Sequence, residues 1–300
     1  CIIIPNYNGR DFLERCLASI YKNPPSFPFD VVVVDNASGD GSTDMARRLF
    51  PQTKIIANAD NKGFGPAANQ GLRAANAQYL FLLNSDTEVL PGTLDALVQG
   101  MEQSPDVAIL GPEFTDGHGE IIQMSWGWHS LFWGEFLQKF FSQRLLKKSC
   151  FRRWLVKRLQ VQPRRVPIVC GAGLLIRRKA LDDIGLIDEN LVMYFEESDL
   201  CLRAWKKGWA VLFYPNARVI HHLGISSGET PEKMSLIYRQ SQLYYYDKHG
   251  TYPQRRLIRF YLRLKLWRIA FYKSFPRLNP NPDYYDKLDA VLKGTGRISL

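Results

Sequence analysis

Three hundred residues with 46% hydrophobic content form a globular composition that can bury a sizeable core, as one large domain or as a domain with an appendage. Five cysteines (Cys1, Cys16, Cys150, Cys170, Cys201) make an odd set with no C-x-x-C pair and no metal-ligand spacing, which argues against a disulfide framework and a structural zinc site; read as reduced and mostly packed, they point to the cytoplasm, no apolar run approaches the roughly 18 to 20 uncharged residues of a membrane span, and no signal peptide is visible. The formal charge of +10 is unevenly spread: residues 136 to 181 and 248 to 282 hold twenty-two of the 39 Lys and Arg and none of the 29 Asp and Glu, so the rest is an acidic body of about −12 carrying two basic attachments.

The chain opens at Cys1 inside an apolar run and without a methionine, the pattern expected where residues precede it. "CIII" (1–4), "VVVV" (31–34), "KIIA" (54–57), "YLFLL" (79–83) and "VAIL" (107–110) lack period-2 alternation, as expected for strands covered on both faces in a parallel sheet. Between them, residues 10–22, 42–50, 65–76 and 91–104 have helical spacing, with Ser42 and Pro91 as helix starters. Such alternation predicts an open α/β sheet that binds ligands beyond the carboxyl ends of its strands. The polar turns "PNYNG" (5–9), "DNASGDGS" (35–42), "NADNKGFG" (58–65) and "NSDTE" (84–88) should therefore line one edge. Residues 114 to 166 break the pattern with a stretch rich in Trp, Phe, Lys and Arg. Alternation then resumes with a strand over 167–178, a short helix over 179–185, a helix over 196–208 and a strand over 210–215. From about residue 230 the chain reads as helical and basic.

Several of these turns carry reactive side chains. Asp35, after four valines, is placed to accept hydrogen bonds from a ligand's N–H groups or to cap the next helix. Asp86 and Glu88 at a strand end suit a hard divalent cation that keeps positions open for phosphate, or are ordinary turn acids. "GFGPAA" (63–68) matches the G-x-G-x-x-A form of a dinucleotide fingerprint, with Asp86 about 21 residues beyond Gly65. In "MYFEESDLCLRAW" (193–205), Asp199 and Arg203 are i, i+4 partners on a helix. Glu196 and Glu197 could face a cleft where desolvation raises a carboxylate's proton affinity toward that of a general base, or simply favour a helix N-terminus. His221 and His222 in "VIHHLGISSG" (219–228) offer an imidazole ligand for an ion such as Mn²⁺, or packing at a strand end.

Taken in order, "IIIPNYNG", "VVVDNASGDGS", "NKGFGPAANQG", "LLNSDTEV", "CGAGLLIRR", "YFEESDLCLRAWKKGW" and "IHHLGISSG" resemble the family-2 inverting glycosyltransferases of GT-A fold, in particular the bacterial rhamnosyltransferase-like branch, over about residues 1 to 228. The resemblance implies that Pro5, Tyr7 and Asn8 border the nucleotide base and that Asp35 accepts from its N–H. It places Asn61, Gly63 and Asn69 near the nucleotide and sugar, with Ser85, Gly173 and Glu196 in the same donor-binding set. "NSD" stands where the family has D-x-D, so Asn84 takes the first acidic place and Asp86 is left to hold the metal, Mn²⁺ or Mg²⁺, with His221 as second ligand and Glu88 as bystander. Glu197 takes the place of the base, where aspartate is usual, with Asp199 the next candidate.

The organisation this implies is a GT-A catalytic domain over 1–228, an open, mostly parallel sheet flanked by helices and carrying the basic aromatic insertion at about 114–166, followed by a basic helical extension over 229–300. The implied activity is transfer of a sugar, first rhamnose from dTDP-rhamnose, with a dTDP- or UDP-linked donor, to a lipid-linked glycan acceptor in bacterial cell-surface polysaccharide synthesis. Residues 255 to 273, "RRLIRFYLRLKLWRIAFYK", have the profile of an interfacial helix on an anionic membrane, which places the protein peripherally on the inner face of the cell membrane. No nucleic-acid recognition motif accompanies the basic composition. Two other classes compete: an NAD(P)-dependent oxidoreductase using "GFGPAA", and a catalytically silent membrane-associated protein that binds sugar nucleotides.

Overall fold

The computed structural model describes residues 1–121, 124–128, 150–191, 193–222, 230–273 and 282–294. At its centre is a nine-stranded sheet. The apolar runs form its first strands, β1 (Ile2–Asn6), β2 (Val31–Asp35), β3 (Lys54–Ala57) and β4 (Tyr79–Leu83). They lie in the order β3-β2-β1-β4 and are parallel throughout, with Asp35 level with both Asn6 and Ala57. All of β1 and β2 is buried, which is why those runs show no alternation. Helices α1 (Arg10–Lys22), α2 (Ser42–Leu49) and α3 (Phe64–Ala74) carry the chain back between these strands. Parallel strands joined by crossovers end on the same edge, so the four polar turns gather there, as expected.

Helix α4 (Thr93–Glu102) leads to β6 (Val107–Thr115). Strand β10 (Gly173–Arg177) inserts between β4 and β6 and is antiparallel to both. Strand β11 (Ala210–His221) then runs parallel to β6 and antiparallel to β5 (Thr87–Val89) and β8 (Arg164–Arg165). The sheet is thus mixed but mostly parallel. Strands β7 (Trp126–Gly127) and β9 (Ile168–Val169) form a separate antiparallel pair. The helices α5 (Cys150–Leu159), α6 (Arg178–Ile184) and α7 (Glu196–Lys206) complete this body, and α8 (Pro231–His249), α9 (Tyr252–Lys273) and α10 (Pro282–Lys293) follow it. Part of the basic aromatic insertion, residues 129–149, lies outside the described residues.

Successive residues of a strand point to opposite faces, and the core divides accordingly. Ile2 and Ile4 pack with Leu13, Leu17, Leu97 and Phe114 on one face, whereas Ile3 packs with Leu72, Leu82, Ile109, Leu200 and Phe213 on the other. A third cluster joins Leu191 and Phe195 to Tyr245, Tyr246, Ile258, Leu262 and Val291, coupling the C-terminal helices to the segment before α7.

Strand β6 runs beyond the expected 107–110 to Thr115, and two further differences from the sequence expectation shape the site. The stretch 167–178 is not one strand: it breaks after Val169, which pairs with Trp126, and restarts at Gly173. The last strand does not stop at residue 215 but continues to His221 through a register shift between Tyr214 and Arg218. Its continuation is what pairs with β5, a strand too short to carry a periodic signal.

Candidate active site

The pairing of β5 with β11 builds the first half of the site. His221 stands opposite Thr87 and Ile220 opposite Glu88, so the turn after β4 meets the end of the last strand. The backbone N–H of His222 donates to the Asp86 carbonyl at 3.0 Å. His221 Nε2 lies 3.5 Å from Asp86 Oδ1, and the Asp86 residue is only 2% exposed. His222 Nε2 instead contacts Glu88 Oε1 at 2.8 Å, so Glu88 is held by a histidine and stands aside from the Asp86–His221 pair.

The second half comes from the start of α7. A cavity of about 250 Å³ is walled by Asn84, Gly171, Ala172, Met193, Tyr194, Glu196, Glu197 and His221 over an apolar floor that includes Phe64, Leu82 and Leu174. The break between β9 and β10 serves this cavity directly. A Cβ at Gly171 would lie 3.3 Å from Glu197 Oε2, so glycine there leaves room for the carboxylate. Burial, reinforced by the charge of the neighbouring Glu197, pushes Glu196 up to about 8. Burial also raises Glu197 above the ordinary range. A carboxylate of raised proton affinity on a cavity wall is suited to taking a proton near neutral pH. A larger cavity, about 350 Å³, lies at the other edge where β1 and β4 begin; it is lined mainly by apolar groups such as Pro25, Phe27, Phe81 and Leu94. The acids and imidazole sit in the smaller one.

Among the described residues no three His, Cys, Asp or Glu side chains converge on one point. The protein therefore offers one buried carboxylate, Asp86, beside one imidazole, His221, which lines the cavity. That donor set fits Mn²⁺ or Mg²⁺, which accept oxygen and imidazole ligands and complete their shells with phosphate and water.

The other expected residues are distributed along the same edge, not all facing the cavity. Asp35 is buried, its Oδ1 accepting from Asn6 Nδ2 at 3.0 Å and its Oδ2 from the Ser38 N–H at 2.9 Å. Pro5 is buried in β1, whereas Tyr7 is exposed beside it. Asn8, at φ 49°, accepts from the Gly39 N–H and donates its own backbone N–H to Ser38 Oγ, tying the first two turns together. Asn61 accepts from the Gly63 N–H at 2.9 Å, and Gly63 has φ +85°, a conformation that favours glycine, where the turn enters α3. That turn begins after Ala57, so "GFGPAA" is not the tight strand-to-helix turn a dinucleotide fingerprint requires. Ser85 is buried between Asn84 and Asp86.

Three of the expected residues are engaged in packing or ion pairs. The Asn69 amide donates to the Ile187 carbonyl and to Glu189, and its oxygen accepts from the Ile187 N–H, clamping that loop to α3. Gly173 is a strand residue packed on Phe114 and Phe81. Asp199, carried as an alternative base, has no exposed side-chain surface and is held by Arg203 Nε at 2.8 Å, Lys248 Nζ at 2.6 Å and His249 Nε2 at 2.7 Å. Burial pushes its carboxyl up, but the hydrogen bond from His249 and the charges of Arg203 and Lys248 outweigh this and hold it at about 2. Lys248 and His249 had no distinguishing signal in the sequence; only the fold brings α8 against α7.

Comparison with known proteins gives the family and the fold. The model of the family described as "Glycosyl transferase family 2" matches residues 1–185. An N-acetylglucosaminyl-diphospho-decaprenol L-rhamnosyltransferase of Mycobacterium tuberculosis (strain H37Rv) is 28% identical over 281 residues, covering 88% of this chain and 90% of that protein. Among solved structures, a mannosyltransferase from Pyrobaculum calidifontis in complex with GDP-Man and Mn²⁺ superposes with a TM-score of 0.58 at 16% identity, over 98% of this chain and 86% of that one. GalNAc-T7 with UDP, GalNAc and Mn²⁺ gives 0.57 at 21% identity; the match covers 80% of this chain and 46% of that one, so this chain spans about half its length. At these identities the two structures attest the fold, which is the GT-A arrangement.

Proposed function

The chain belongs to glycosyl transferase family 2, and from that premise we propose that it transfers rhamnose from dTDP-rhamnose, with inversion, to a hydroxyl of a lipid-linked N-acetylglucosamine. The observation that carries the reaction is the single cavity shared by Glu196, Glu197, Asn84 and His221, with Asp86 at 3.5 Å from that histidine. The sugar and acceptor rest on the likeness to the mycobacterial rhamnosyltransferase over 88% of the chain.

Glu197 takes the proton from the acceptor hydroxyl while that oxygen forms its bond to the anomeric carbon. The bond from that carbon to the diphosphate oxygen breaks on the opposite face, and its electron pair leaves with the nucleoside diphosphate. Asp86 and His221 would hold the Mn²⁺ or Mg²⁺. When bound, the ion supplies positive charge against the diphosphate. The apolar floor of the cavity and the burial of Glu196 and Glu197 raise the proton affinity of both carboxyls, so the pair is suited to holding the proton taken from the acceptor hydroxyl. The polar turns around Tyr7, Asn8, Asp35 and Asn61 lie on the same edge, where the nucleotide would extend from the cavity.

A lipid-linked acceptor calls for a membrane-facing surface. No described helix is long and apolar enough to cross a membrane. Helix α9 buries Ile258 and Leu262 but exposes Phe260, Leu257, Tyr261 and Leu264 in a segment with no acidic residue, and α5 exposes Phe151 and Trp154. Such surfaces suit the anionic inner face of the cell membrane. Neither an oxidoreductase nor a silent binding protein is favoured by any feature of the site.

The reading is tested by incubating the protein with dTDP-rhamnose, UDP-GlcNAc, GDP-mannose or NAD(P) and a polyprenyl-diphospho-GlcNAc acceptor, with Mn²⁺, Mg²⁺ or EDTA. Rhamnosyl transfer that EDTA abolishes is the expected result. Transfer from a different donor would overturn the sugar assignment alone, and stabilisation by NAD(P) without any transfer would overturn the function.

A further inference from the structure

The segment that presents Glu196 and Glu197 is strained. Tyr194 and Phe195, the two residues immediately before them, have φ of 70° and 71°. Two consecutive bulky residues in the left-handed region persist only where their surroundings enforce it.

The enforcement comes from one face of α8. The Tyr238 ring meets Tyr194 edge-on at 5.4 Å and Phe195 at 5.2 Å, and Tyr245 lies 5.3 Å from Phe195. Ser241 Oγ donates to the Met193 carbonyl at 2.8 Å. One turn beyond Tyr245, Lys248 and His249 grip Asp199 in the first turn of α7. Positions 238, 241, 245, 248 and 249 recur at spacings of three and four, so they share a face, and that face follows the stretch 193–199 from one end to the other. Lys248 also binds Asp188 at 2.6 Å, anchoring the same helix to the loop that Asn69 clamps.

We propose that α8 is a positioning element of the catalytic site. Tyr238 and Ser241 hold the left-handed turn, Lys248 and His249 hold Asp199, and Glu197 is thereby fixed against Gly171 from both sides. This rests on the reading of Glu197 as the base. None of the four α8 side chains lines the cavity, so they act through the turn and not on substrate. The strain has a use: a carboxylate on a relaxed loop would sample many positions, and a displacement of about 1 Å at a reacting group can lower the rate on the order of 10²-fold.

The test uses the full chain with Tyr238→Ala, Tyr238→Phe and Ser241→Ala. Steady-state transfer is measured across pH, and amide hydrogen exchange is followed by mass spectrometry. For Tyr238→Ala the expected result is a kcat lower by roughly 10-fold or more, with the donor KM within about twofold, and a displaced base limb in the kcat pH profile. Peptides covering 193–200 should exchange faster while those of β1 and β4 do not. Tyr238→Phe should restore all three readouts, and Ser241→Ala, a smaller change, should move them in the same direction and covers the case in which the alanine at 238 does not fold. An unchanged kcat, pH profile and exchange pattern would overturn the proposal, as would a loss of activity that merely follows the unfolded fraction with an unshifted profile. If the unsubstituted protein transfers no sugar, the transferase reading fails, and the exchange pattern still decides whether α8 holds the turn.

Discussion

His221 Nε2 lies 3.5 Å from Asp86 Oδ1 because the antiparallel pairing of β5 with the end of β11 sets His221 opposite Thr87. The neighbouring His222 is committed to Glu88 at 2.8 Å. The two histidines should therefore behave differently. In a thermal-shift measurement with the donor and Mn²⁺, Asp86→Asn and His221→Ala should lose the EDTA-sensitive stabilisation, equivalent to at least a tenfold weaker apparent metal affinity. His222→Ala should keep it. Retention of the full shift in His221→Ala would remove that residue from the metal site.

Glu197 faces the cavity beside Gly171, and its raised proton affinity comes from burial. Glu197→Gln keeps the shape and removes the base. Transfer should fall by about 10²–10⁴-fold while donor binding, followed by calorimetry, stays within a few-fold. Substantial turnover in this variant would shift the role to Glu196, the other acid on the wall. A companion variant at Gly171, Gly171→Ala, should also slow transfer, since its Cβ would press on the Glu197 carboxylate.

Much of this was legible in the sequence, and the failures have physical causes. Strands β1, β2 and β4 announce themselves because they are buried, leaving unbroken apolar runs, whereas β3, expected to be covered on both faces, lies at the edge of the sheet with Lys54 and Ala57 exposed. Polar turns at their ends follow from the parallel order. The break at Cys170–Ala172 was hidden because "PIVCGAGLLI" reads as one apolar run; only the pairing of Val169 with Trp126 on a different sheet separates it. Strand β5 is three residues long, below the length at which alternation can be seen, yet it aligns the two candidate metal ligands. Asn69 and Asp199 sit in motif positions, but a motif fixes residue type and order, and not which neighbour a side chain meets: the loop at Ile187 captures one and α8 the other.

Glu196 sets a pH dependence of stability. Its folded value is pushed from an ordinary 4.5 up to about 8 by burial and by Glu197. Between those values the unfolded chain has released the proton and the folded chain has not, so stability falls as pH rises through this window, by at most about 1.4 kcal/mol per pH unit. Urea midpoints measured at pH 5 and pH 8 should fall in the parent and change less in Glu196→Gln. Equal slopes in the two proteins would show that this carboxyl is not held neutral.

Asp199 has the opposite sign. Held at about 2 against an ordinary 3.8, its contribution is present above the ordinary value and is lost as pH falls through about 2. Asp199→Ala leaves Arg203, Lys248 and His249 facing one another without their anion. The cost of breaking a buried pair is discounted here because the Lys248 side chain, 29% exposed, can turn to solvent. A loss of about 2–4 kcal/mol in unfolding free energy is expected at pH 7, with a smaller difference between the two proteins at pH 2–3. A loss below about 0.5 kcal/mol, the scale of an ordinary surface substitution, would mean that the network is a surface cluster.

The exposed face of α9 carries the last prediction. Ile258 and Leu262 point into the cluster with Tyr245, Tyr246 and Val291, and on a helix Phe260 then falls on the side opposite them. It is 58% exposed, with Leu257 and Leu264 nearby and Arg256 and Arg263 in the same segment. Apolar side chains at the centre of a basic face gain by insertion among acyl chains while the guanidinium groups stay at the headgroups. Sedimentation with vesicles containing anionic lipid should therefore retain the parent protein and release much of Phe260→Asp, whereas vesicles of neutral lipid alone should retain neither. Because Phe260 does not contact the cavity, transfer to a short water-soluble acceptor should be unaffected in the same variant. Equal sedimentation of parent and variant would mean that this face does not meet the bilayer, and the exposed aromatics of α5, Phe151 and Trp154, would be the surface to change next.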